Sequence, residues 1–137
     1  MKRRTPERTR LHKDLRAFSG LLNSNEVEYL LVGGYALAFH GVPRYTGGID
    51  ILLRNTAENA ARVEHAIAAF GFAALGLAAT DFLQPDCEVQ FGLPPNRIDL
   101  LTSITGVGFD EAWAGREPAE LDGLPVAFIG RLEFARN

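Results

Sequence analysis

The sequence predicts an α+β domain, a mixed and mainly antiparallel sheet flanked by helices. Residues 29–54 (YLLVGGYALAFHGVPRYTGGIDILLR) read as strand, glycine turn, short helix and strand, and the rest of the chain is arranged around them. Residues 87–91 and 97–102 are two strand-like runs joined only by Gly92-Leu93-Pro94-Pro95-Asn96, a connection that makes them antiparallel neighbours. Leu11, Leu15, Phe18 and Leu22 recur at helical spacing ahead of both. A length of 137 residues suits one domain, 1–137, built on a single core.

The first helix is expected over 6–22, with Thr5 as its N-cap, and 23–26 turns the chain into the first strand. That apolar strand is stopped by Gly33-Gly34. Good helix formers follow over 35–40, until Gly41 and Pro43 end the helix. The second apolar run, 49–53, has a carboxylate inside it, Asp50. Successive strand side chains point to opposite faces, so Ile49, Ile51 and Leu53 share one face while Gly48, Asp50 and Leu52 share the other. A carboxylate there is costly unless something cationic meets it.

Asn55 or Thr56 caps a second long helix, which has Glu58 in its first turn and Gly71 just beyond its end. Its alanines, with Val63, Ile67 and Phe70, make a narrow apolar face suited to close packing on a sheet. Residues 71–76 form a small-residue connection, and Thr80 caps a short turn through Phe82. Residues 97–102 (RIDLLT) are the strongest later strand, with Asp99 set into it much as Asp50 is set into the earlier one. A short helix over 109–116 carries the single tryptophan, Trp113. A last strand over 124–129 follows the turn Asp122-Gly123, and Arg131 begins another helix.

The hydrophobic fraction of 47% and charged fraction of 23% are those of an ordinary globular protein. No run approaches the roughly 20 apolar residues of a membrane helix, and no signal-peptide pattern opens the chain. Cys87, as the single cysteine, forms no internal disulfide, so the expected location is the reducing cytoplasm. The net charge of −3 hides an asymmetry: residues 1–16 hold seven Lys/Arg against Glu7 and Asp14, leaving +5 there and −8 on the remainder. Such an arm either brings a nucleic-acid backbone towards an acidic cleft or is a solvated helix end.

The residues of 29–54 resemble the nucleotidyltransferase (polymerase β-like) superfamily, which has a Gly-Gly or Gly-Ser turn, then Asp-x-Asp on a strand, then a third Asp on a neighbouring strand. They look most like the small bacterial AbiEii-like and related domains, with GG-Y-A-x-x-x-H-G and R-x-T-x-D-I-D. Gly33, Gly34, Tyr35, Ala36, His40, Gly41, Arg44, Thr46, Ile49 and Asp50 match that pattern. The resemblance extends to ENAARV at 58–63, PPNRIDLLTSITGV at 94–107 and FDEAW at 109–113. Relatives usually continue past the equivalent of Asn137 with a Lys-rich helical segment, so the chain is expected to stop early. One departure matters most. Gly48 stands where the family's first Asp belongs.

The resemblance implies a nucleotide site. Gly33 and Gly34 would let the backbone approach a triphosphate, although tight strand-to-helix packing calls for glycine equally. Asp50 and Asp99 would hold Mg²⁺, one ion activating the attacking hydroxyl and the other binding the triphosphate. Arg44 and Thr46 would contact phosphates. The alternative for the carboxylates is neutralisation by Arg44 and Arg97. With Gly48 in place of an acid, the hydroxyl-activating metal would be poorly held. Gly48→Asp is expected to cost little, a strand being ordinary territory for aspartate, and to restore transfer. His40 is expected to bond backbone at a helix end, His12 and His65 lack metal-ligand partners, Cys87 is expected buried, and Trp113 to be core or to stack on a base.

The leading expectation is transfer of a nucleoside monophosphate from an NTP to a hydroxyl of RNA, especially tRNA, or of protein, as in toxin–antitoxin members, impaired by Gly48. An antitoxin or a second copy would be its partner, and no membrane. A second expectation is a non-catalytic domain binding nucleotide or partner protein. A third is a structural role, with the acids ion-paired. Convergence of Asp50 and Asp99 beside Gly33-Gly34 separates the first two from the third.

Overall fold

The computed structural model describes residues 13–41, 47–71, 76–94 and 96–136. The expected N-cap Thr5, the start of the first helix, the basic arm up to His12, and Arg44 and Thr46 lie outside them. Helix α1, Lys13–Ser24, buries Leu15, Phe18 and Leu22, the stripe its spacing demands. Strand β1, Tyr29–Val32, runs directly into helix α2, Gly33–Phe39. Strand β2, Gly48–Leu53, is followed by helix α3, Ala57–Phe70. Of the two expected caps, Thr56 and not Asn55 closes the start of α3, accepting from Asn59 N at 3.3 Å, and Gly71 ends the helix at φ 104° as expected.

A 3-10 turn, Ala79–Phe82, precedes strand β3, Glu88–Phe91. Its start is held by Asp81, whose carboxylate accepts from Ala78 N at 2.8 Å, and not by Thr80. Strand β4 is Arg97–Leu101 and helix α4 is Phe109–Ala114. Helix α4 ends at Ala114 with Gly115 as its C-cap, short of the expected Arg116. Strands β5, Glu117–Leu121, and β6, Leu124–Phe128, come next, and helix α5 is Arg131–Arg136.

Among the described residues the strands form one six-stranded sheet in the order β3-β4-β2-β1-β6-β5. The pairs β3–β4, β2–β1 and β6–β5 are antiparallel, while β4–β2 and β1–β6 are parallel. The sheet is therefore mixed and mainly antiparallel, as the motif order implied, with β2 beside β4. Helix α1 packs on α3, and α3 on the 3-10 turn. Phe18 of α1 seals that layer onto the sheet, edge-on to Phe70 at 5.2 Å and to Phe91 of β3 at 6.0 Å.

Strand β5 is absent from the sequence prediction. Its residues, EPAEL, are poor strand formers, and Pro118 lacks an N–H. They pair because the two-residue turn Asp122-Gly123 folds β5 back on β6, with positive φ at both residues (54° and 83°). At the sheet edge, Pro118 and the two glutamates discourage further pairing. Cys87 also departs from expectation. It lies just ahead of β3 and is half-buried.

A single buried side chain ties α3 to the sheet. Asn59 is 2% exposed, accepts from Glu28 N at 2.7 Å and donates to the carbonyls of Glu28 at 3.0 Å and Arg54 at 2.8 Å. Those backbone groups flank the start of β1 and the end of β2. Asn59→Ala removes all three bonds, although the Glu28 carbonyl keeps the Arg54 N–H at 3.2 Å, and is expected to destabilise the fold by about 2–3 kcal/mol. Denaturant unfolding measures this, and a loss below about 0.5 kcal/mol would show that the clasp is dispensable.

Candidate functional site

Where β2 and β4 run side by side in parallel, Gly48 faces Arg97 and Asp50 faces Asp99 across the ladder. Adjacent strands lie about 4.8 Å apart, and in-register residues point to the same face. Asp50 and Asp99 are thus brought together by backbone geometry alone. Their carboxyl groups come within hydrogen-bonding reach of each other.

Asp50 also reaches the glycine turn. Gly33 has φ +70°, and a Cβ built on it would sit 2.8 Å from Asp50 Cγ and closer still to Oδ2. The turn needs glycine twice, for its left-handed backbone and for room beside this carboxylate. Gly34 occupies the first turn of α2, half-buried. The constellation expected from the sequence, Asp50 and Asp99 converging beside Gly33-Gly34, is present in the geometry.

Arg97 supplies the local cation. Its Nε donates to both oxygens of Asp99, at 3.0 and 3.1 Å. The Arg97 side chain is 35% exposed and that of Asp99 only 3%, so the pair spans the boundary between core and solvent. Burial pushes the Asp50 carboxyl from its usual 3.8 up to about 7. The hydrogen bond and charge of Asp99 push the same way, Arg97 opposes them, and Glu88 adds a smaller upward push. Burial and Asp99 together thus favour the protonated form of the Asp50 carboxyl.

Two residues of this face escaped the sequence reading. Gln90 of β3 stands opposite Asp99, and its Nε2 donates to Glu88 Oε2 at 3.0 Å. The signal for them was there. Alternation over 87–91 puts Glu88 and Gln90 on one face, and the short turn at 92–96 brings that face alongside Asp99.

Gly48 is the main correction. A Cβ there would lie 2.6 Å from the Arg97 carbonyl carbon, closer still to its oxygen, and 2.8 Å from Arg97 Cβ. The obstacle is backbone of the neighbouring strand, which no rotamer change relieves. The expectation that aspartate enters at little cost is overturned, because a strand's general tolerance for Asp says nothing about this one close approach.

The donor set does not fit a pair of Mg²⁺ ions. Position 48 has no space for a side chain, and both oxygens of Asp99 are engaged by Arg97. Among the described residues no cluster of three or more His, Cys, Asp or Glu side chains is arranged to hold a metal. Octahedral, oxygen-rich Mg²⁺ coordination finds too few free donors here.

The remaining candidates are structural. His40 Nε2 donates to the Ile129 carbonyl at 2.8 Å, as expected of a helix-end histidine, and His65 is exposed on α3. Trp113 stacks on Phe109 at 5.6 Å, and the Arg116 guanidinium lies 3.9 Å over its ring. It borders a shallow apolar groove of about 210 Å³ with Val27, Tyr29 and residues 125–127. That groove lies at the Tyr29 end of β1, whereas Asp50 stands opposite Val32 at the other end.

No protein-family model and no curated protein matches the chain. Among solved structures, one of a Thermotoga maritima protein described provisionally as a nucleotidyltransferase is similar, with TM-score 0.62 and 15% identity over 90% of this chain and 79% of that one. At that identity the likeness speaks to the fold. The chain has a nucleotidyltransferase fold, and no helix among the described residues is long and apolar enough to cross a membrane.

The raised Asp50 pKa fixes a pH dependence. An acid whose pKa is higher in the folded state contributes stability that is fully present below its unfolded pKa, near 4, and lost as pH rises through about 7. Asp50→Asn keeps a donor for Asp99 and removes that titration. Thermal melts are expected to show the wild type losing stability between pH 4 and 8 more steeply than Asp50→Asn, with the variant the more stable at pH 8. Parallel curves would refute the assignment.

Proposed function

We propose that the chain is a nucleotide-binding domain of nucleotidyltransferase fold in which nucleotidyl transfer is lost or severely impaired. One observation carries the reading. The position of the first family carboxylate is a glycine on which the neighbouring Arg97 backbone has closed. The turn at Gly33-Gly34 and the paired Asp50 and Asp99 support a nucleotide with its phosphates beside them. Arg44 and Thr46 are assigned to those phosphates by their match to the family pattern.

The convergence of Asp50 with Asp99 favours a second reading, an active transferase. By resemblance to AbiEii-like domains it would use Mg²⁺ and move a nucleoside monophosphate from an NTP to RNA, tRNA or protein in a toxin–antitoxin setting. Loss of one metal-holding carboxylate removes about 3–5 kcal/mol of transition-state stabilisation, or roughly two to four powers of ten in rate.

Two experiments test the proposal. Titration calorimetry with each NTP at millimolar concentration in Mg²⁺ buffer is expected to show weak binding, and its absence for all four would refute nucleotide binding. Transfer of labelled NTP to total cellular RNA and protein is expected to be undetectable for both the wild type and Gly48→Asp. The variant is also expected to lose about 2 kcal/mol or more of stability to the clash with Arg97. Transfer by the wild type, or its appearance in Gly48→Asp, would establish the second reading.

A further inference from the structure

We propose that Arg97 is the resident cation of this site and holds the polyphosphate tail of a nucleotide without a divalent metal. The inference rests on the nucleotide-binding reading and goes beyond it by replacing the metal. In the family's arrangement, carboxylates gather metal ions and the ions meet the phosphates. Here Asp99 is satisfied by the guanidinium, whose Nε spans both of its oxygens at 3.0 and 3.1 Å.

The glycine and the arginine form one feature. Gly48 and Arg97 are partners in the parallel ladder, and Arg97 Cβ lies 2.8 Å from where a Cβ on residue 48 would be. A carboxylate at 48 and Arg97 as placed exclude each other.

Arg97 has the chemistry to serve a phosphate. The guanidinium's hydrogen bonds to described residues both run through Nε, which leaves the Nη1–Nη2 edge, a parallel pair of donors that matches a phosphate oxygen pair. The side chain is 35% exposed, so that edge is within reach of a ligand. The carboxylate of Asp99 fixes the guanidinium in place, so little side-chain entropy remains to be lost on binding. Unlike a metal, this charge is not removed by a chelator.

The test is binding of each NTP and of inorganic tripolyphosphate in 5 mM Mg²⁺ and in EDTA, with Arg97→Gln and Arg97→Lys alongside. Wild-type affinity is expected to stay within about threefold between the two buffers, and Arg97→Gln to weaken it at least about tenfold. Arg97→Lys keeps a cation on Asp99, and hence the fold, but lacks the fork, so a several-fold loss is expected. Binding by the wild type only in Mg²⁺, or full affinity in both variants, overturns the role of Arg97 and leaves nucleotide binding standing. Absence of binding in either buffer overturns both. The buffer comparison needs only the wild type, so it decides even if Arg97→Gln fails to fold.

Discussion

The parallel register of β2 on β4 is the constraint from which the site follows. It places Asp50 level with Asp99 and Gly48 level with Arg97. Two carboxylates on one face of adjacent strands repel when both are ionised, and burial raises the cost. The chain meets this in two ways. One acid is held by Arg97, and the other has its pKa raised towards neutrality. The result is a compact cluster with a fixed cation, balanced by the protein's own groups.

That packing explains why the glycines are not interchangeable. Gly33 gives Asp50 its place beside the head of α2, and Gly48 makes room for the backbone of the neighbouring strand at residue 97. A side chain at either position collides with the cluster, at Gly33 with the carboxylate and at Gly48 with the neighbouring backbone. The similarity to a nucleotidyltransferase-like fold holds for the scaffold, and the side chains at the head of β2 are this chain's own. A fold supports many activities, and the side chains at its site decide which.

The opposite end of β2 is built for stability. Arg54 is ion-paired with Glu28 and Asp110 and lies over the Phe109 ring at 4.5 Å, so one guanidinium links β2, the start of β1 and α4. Asn59 adds its three backbone bonds nearby. Arg54 is four residues beyond Asp50, about 13 Å along the strand, so this clasp holds the sheet without entering the candidate site.

The sequence by itself determined most of the scaffold. Helical spacing placed Leu15, Phe18 and Leu22 on one buried stripe, and Asn55 or Thr56 with Gly71 bounded α3. These signals are local, and propensity and periodicity report them, whereas the approach of Asp50 to the glycine turn was implied only by the resemblance of 29–54 to a known motif. Strand β5 was illegible because its pairing is imposed by a tight hairpin on a sequence with little strand propensity of its own. The meaning of Gly48 was illegible for a related reason. An alternating strand pattern tells which face a residue occupies and nothing of how near the next strand's backbone comes. Only the tertiary structure decided that, by packing Arg97 against residue 48 through a pairing between segments about fifty residues apart in the chain.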